Sequence, residues 1–130
     1  MIKKAAITFA IILYAIVVPF LEINDTHVFN PDWTPHVRIH EVWQLITNTS
    51  IGIFCLWLLW YKDDTKLSAL LSLLIMGAFL LAFLIKDSYG GSMKYLDGSE
   101  KTILGVNIGV LGFGTAFALI LFSFGLDKLK

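Results

Sequence analysis

Four runs of this chain contain no charged residue: Ala5 to Leu21, Val42 to Tyr61, Leu67 to Ile85 and Ile103 to Leu126. Each is near the ~20 residues that carry a helix through a hydrocarbon layer ~30 Å thick. A charge at mid-bilayer is costly unless it serves a function, so clean runs of this length predict membrane spans. Composition agrees: 57% of residues are hydrophobic and 15% charged, against roughly 25% charged in soluble domains. A soluble fold of 130 residues has no interior large enough for that apolar surface. The formal net charge is zero, which removes the basic surface that a nucleic-acid partner needs. The expected fold is all-α, a single transmembrane domain: an antiparallel four-helix bundle with spans at about 5–21, 35–61, 67–86 and 103–126.

Lys3 and Lys4 before an apolar run resemble the start of a signal peptide. Val17-Val18-Pro19-Phe20 is too bulky for a cleavage site, so the run reads as a retained anchor. Pro19 reads as the point where the first helix leaves the membrane. Lysine and arginine collect on the cytoplasmic side. With both termini cytoplasmic, Lys3, Lys4, Lys62, Lys66, Lys128 and Lys130 lie inside, and Arg38, Lys86, Lys94 and Lys101 outside. Residues 22–34 and 87–102 are then the outer loops. The layout predicts a bacterial inner-membrane protein with its histidine-rich loop on the periplasmic side. Residues 62–66 are too few for anything but a hairpin between the second and third spans. Cys55 is the only cysteine, so a disulfide framework is excluded and the residue reads as packing. Asn24-Asp25-Thr26 matches a glycosylation acceptor, which matters only in a secretory eukaryotic host.

All three histidines and the only arginine fall between His27 and His40. Thr34-Pro35 is a helix start, with Thr34 as the cap and Pro35 as the first helical residue. The second helix then runs from Pro35 to about Trp60. At ~100° per residue, His36, His40, Trp43, Thr47 and Ser50 share a sector of roughly 80°, with Gln44 at its border. Lipid offers such a stripe no partners, so it is expected to face other helices or a wet cavity. Arg38 and Glu41 lie away from it, three residues apart, and are expected to pair at the surface. In the fourth span, Asn107 is expected about one turn below the outer end, level with His40 and Gln44. Gly105 and Gly109 form a small-xxx-small pattern that permits close helix approach, including a homo-oligomer through Gly105 and Gly109.

Several chemistries suit these residue types. His36 and His40 present two imidazoles on one face, and Glu41 or His27 would complete a shell for a metal or haem. The competing reading has the histidines bonding loop carbonyls and Asp32. The order lacks the internal glutamate of His-Glu-x-x-His, so zinc-protease chemistry is rejected. A histidine beside Glu41, Asp32 and Arg38 could also move protons for a membrane enzyme acting on a lipid, sterol or quinone. The competing reading there is a salt-bridge cluster that pins the loop. An isomerase-like enzyme would also need a carboxylate facing a cavity, and none is expected within a span. Most of the aromatic residues, Tyr14 included, read as interface anchors. Trp33 and Trp43 flank the histidines and are the candidates to wall a pocket.

The string Asn30-Pro31-Asp32-Trp33-Thr34-Pro35-His36-Val37-Arg38-Ile39-His40 resembles a signature of small four-span membrane proteins carrying Asn-Pro-x-Trp-x-x-His-x-Arg-x-His. They are loosely similar to DoxX-like proteins. The resemblance implies that Asn30, Trp33, His36, Arg38 and His40 form the distinctive element, and that the chain serves as a subunit of a respiratory complex. It implies no reaction. The leading expectation is a small apolar molecule, lipid or cofactor bound at the outer mouth of the bundle. His36, His40, Trp43, Gln44 and Asn107 would line the site, and His27, Asn30, Trp33 and Arg38 would cap it. The alternatives are an accessory subunit that docks onto a larger membrane complex, or an enzyme acting on a lipid-like substrate.

Overall fold

The computed structural model describes residues 1–125. Leu126, Lys128 and Lys130, expected at or beyond the end of the fourth span, lie outside the described residues. Four helices dominate: α1 (Ile2–Glu22), α2 (Pro35–Trp60), α3 (Thr65–Leu84) and α4 (Ile108–Gly125). All four are long and apolar enough to cross a membrane. Between α3 and α4 lie a single 3-10 turn (Lys86–Ser88) and a two-stranded antiparallel ribbon, β1 (Thr102–Ile103) with β2 (Val106–Asn107).

α1 does not stop at Pro19. Its middle, Leu13–Val17, is wound as a π-helix, and an α-helical turn (Val18–Glu22) follows with Pro19 in its first turn. Proline has no N–H for the carbonyl four residues back, Ala15. Thr49 Oγ1 of α2 donates to that carbonyl at 3.1 Å instead. A residue expected to end the helix is therefore accommodated inside it.

α2 begins as its first residues predict. Thr34 is extended, its hydroxyl accepts from the Val37 amide at 3.3 Å, and Pro35 opens the helix. Asp64 caps α3 through the Leu67 amide at 3.0 Å. α4 starts later than expected. Leu104 and Gly105 both have positive φ, 53° and 78°, and make the tight turn between β1 and β2. Residues 102–107 thus belong to a ribbon, and the helix begins at Ile108.

The core lies where α1 meets the other three helices, with Ile7, Ala10, Ile11 and Tyr14 fully enclosed. Tyr14, expected at an interface, is buried in the middle of α1, where its hydroxyl lies 3.4 Å from Ser72 Oγ. Ser68, also buried, donates to the Cys55 carbonyl at 3.1 Å. Small residues on α3 therefore satisfy polar atoms that lipid would strand. At Gly52 α1 and α2 approach so closely that a Cβ there would collide with the Cβ of Ala15.

At one end of the molecule Lys4 pairs with Asp63 at 2.7 Å and lies over the Trp60 ring, while Lys3 lies over Phe124. The Lys4 hydrogen bond holds the Asp63 carboxyl below the usual carboxylate range. The histidine-rich loop and the ribbon sit at the other end.

Candidate functional site

The loop between α1 and α2 is organised around Asn30, which is buried. Its amide donates to the Thr26 carbonyl at 3.1 Å, and its side-chain oxygen accepts from the Asp32 amide at 3.0 Å. Its carbonyl receives Arg38 Nη2 at 2.7 Å. One short polar side chain and one arginine thus lock the loop onto the first turns of α2. Arg38 Nε is buried with no partner among the described residues. The expected Arg38–Glu41 surface pair is not formed, because the guanidinium is committed to the Asn30 carbonyl.

His27 belongs to this inner cluster. Its Nε2 lies 2.7 Å from Glu22 Oε2, its Nδ1 lies 2.8 Å from Thr26 Oγ1, and its ring meets Trp33 edge-on at 5.7 Å. Thr26 Oγ1 is also 2.6 Å from Asn24 Oδ1. The single hydroxyl proton of Thr26 can serve Asn24 or a neutral His27, but not both. Burial first, and the Lys101 ammonium second, hold the imidazole below the usual histidine range. At neutral pH the ring is therefore uncharged, and its Nε2–H donates to Glu22. Burial works against charge on Glu22 before anything else, Glu41, half-buried on α2, repels it, and Lys101 attracts it.

The stripe on α2 is coherent but faces the other way. His36, His40, Trp43, Gln44, Thr47 and Ser50 are all exposed, Trp43 at 65%. The opposite side of the helix, with Leu45, Gly52, Cys55 and Leu59, packs into the bundle. Arg38 and Glu41 are half-buried on that inner side. The expectation of an inward stripe with Arg38 and Glu41 as an outer brace is therefore reversed. The physical reason is Gly52: α2 turns its smallest residue and its leucines toward α1, which sets the rotation of the whole helix.

His36 and His40 do meet, Nε2 to Nε2 at 3.1 Å, with ring centroids 4.6 Å apart and planes at 82°. Trp43 tilts against His40 at 5.9 Å. Neither His27 nor Glu41 joins them: His27 is engaged with Glu22, and Glu41 projects from the other side of the helix. Among the described residues no three histidine, cysteine, aspartate or glutamate side chains gather as a metal shell.

Asn107 is not brought to the stripe. It ends β2, donates to Glu100 Oε1 at 3.0 Å and accepts from the amides of Gly109 and Val110 at 2.8 and 3.3 Å. That is a helix cap, not a pocket wall. Gly105 and Gly109 do not share a helix face, because Gly105 lies in the ribbon turn. The space beside Gly109 is taken by Phe79 and Met93 of the same chain.

Glu22 and Lys101 were not singled out from the sequence. Glu22 ends an apolar run, and only the path of the loop carries His27 back to it. An open groove of about 210 Å³, lined by Pro19, Ile23, Leu45, Ile46, Thr49 and Ser50, runs between α1 and α2 beside the stripe.

No family model, no curated protein and no solved structure matches the chain. The resemblance to DoxX-like proteins has no support from a family match.

Proposed function

We propose that the chain is an accessory subunit whose α2 stripe docks against another membrane protein. The observation that carries this reading is an unsatisfied polar face. Gln44, Thr47 and Ser50 are exposed, and among the described residues none of the three side chains makes a hydrogen bond. α2 has 26 residues, or about 39 Å at ~1.5 Å each, against a ~30 Å core. The excess accommodates about the first six residues, so Thr47 and Ser50 sit at hydrocarbon depth. There a polar group without a partner is costly, and a neighbouring protein supplies what lipid does not. The lysines shared by the Lys4–Asp63 end favour both termini in the cytoplasm, with antiparallel spans and the stripe opening toward the periplasm of a bacterial inner membrane.

The test is a photo-crosslinker placed at Thr47 in the native membrane. Capture of a defined protein is expected, and a Gln44→Leu, Thr47→Val, Ser50→Ala variant is expected to run as the bare chain in native mass spectrometry. Crosslinks to phospholipid alone would overturn the reading.

A second reading, in which a lipid-like ligand is bound, is favoured by the groove between Pro19 and Ser50. Its volume of about 210 Å³ falls short of the ~300 Å³ at which ligand pockets begin. It suits a single acyl chain rather than a sterol or quinone. Lipid analysis of the purified protein tests it, with one retained acyl lipid per chain as the expected result.

A further inference from the structure

The loop-end turn of α2 carries an assembled ligand pair that the docking reading does not use. His36 and His40 stand one helical turn apart with both Nε2 atoms converging to 3.1 Å. As they stand, one ring donates and the other accepts, a bond of small value at an exposed site. Neither Nδ1 has a hydrogen-bond partner among the described residues. A metal ion at imidazole bonding distance, ~2.0–2.1 Å from each nitrogen, would see the two ligands at roughly 100°. That angle lies between the square-planar and tetrahedral values that Cu(II), Ni(II) and Zn(II) adopt.

The turn is also held in place before any ion arrives. The Thr34 hydroxyl caps it through the Val37 amide, and the Arg38 side chain, between the two histidines in sequence, is anchored to the Asn30 carbonyl at 2.7 Å. A chelating pair on a braced helix loses little freedom on binding, which is what preorganises a metal site.

We propose that His36 and His40 bind one divalent transition-metal ion through both Nε2 atoms, with water filling the remaining positions. Imidazole ligation and the order of divalent affinities place Cu(II) first, ahead of Zn(II) and Ni(II). The site is complete on one chain and stands whether or not α2 docks against a partner.

The experiment is titration of the full chain, purified in detergent, with Cu(II), followed by electron paramagnetic resonance. One ion per chain is expected, with hyperfine structure from two imidazole nitrogens. His36→Ala and His40→Ala are each expected to weaken binding at least ten-fold, while His27→Ala leaves it unchanged. Both rings are exposed, so the variants retain the fold, as helical circular dichroism checks. His36→Gln and His40→Gln repeat the test with side chains of closer size. Wild-type affinity in the His36 and His40 variants, or a spectrum without two nitrogen ligands, overturns the proposal.

Discussion

At the scale of single residues, the polar groups of the loop divide by what they can reach. Arg38 bonds Asn30 and His27 bonds Glu22 on the inner side, whereas His36 and His40 hydrogen-bond only to each other. The difference has a pH signature. The unfolded chain protonates His27 near 6.5, but the folded chain does so only at lower pH, because burial and Lys101 disfavour the imidazolium. Over that window the unfolded state binds more protons at this residue, so the contribution of His27 to stability falls as pH drops and levels off once the folded ring is charged. Between about pH 7.5 and pH 5.5 this contribution lowers the unfolding temperature in detergent relative to a chain that lacks the titrating ring. His27→Gln keeps a donor toward Glu22 without the titration, and its loss over the same range should be smaller. An equal loss would show that other groups govern the pH response. His36 was legible as a polar residue on a helix face. Its surroundings were not, since which way α2 turns depends on α1.

At the scale of helices, the sequence is most readable where the chemistry is local. Thr34-Pro35 marks the start of α2 because the cap and the fixed proline φ act within one turn. The stripe is likewise local, a matter of 3.6-residue spacing. Its direction is not: it follows from Gly52 meeting Ala15 and from the leucines of the opposite side. Gly105 misled for a related reason. Its spacing to Gly109 suits helix contact, but Leu104 and Gly105 form a turn, and the helix starts beyond them. Two substitutions probe the α1–α2 seam. Gly52→Ala places a methyl group against Ala15 and is expected to cost about 3 kcal/mol, the upper range for overpacking a tight core. Chemical denaturation in mixed micelles measures it, and a near-neutral result would mean that the helices part easily. Thr49→Val keeps the shape but removes the donor to the Ala15 carbonyl. A loss of about 1 kcal/mol is expected. In a Pro19→Ala background that loss should shrink, because an alanine amide can bond the same carbonyl.

At the scale of the whole molecule, four uncharged runs were enough to anticipate four helices fit to cross a membrane. Length and hydropathy are additive properties that do not depend on packing. The side that each end faces is a separate question, and labelling answers it. In a Cys55→Ala background, single cysteines at Asp25 and Glu100 are expected to react with a membrane-impermeant thiol reagent on intact cells. One at Asp63 should react only after permeabilisation. The reverse pattern would invert the orientation proposed above.

The bond from Thr49 to Ala15 also bears on how the protein is made. α1 emerges before α2, carrying a carbonyl to which Pro19 has no N–H to donate. The donor arrives some thirty residues later along the chain. The first helix is therefore best delivered to the bilayer together with the second, so that insertion proceeds by pairs rather than one helix at a time.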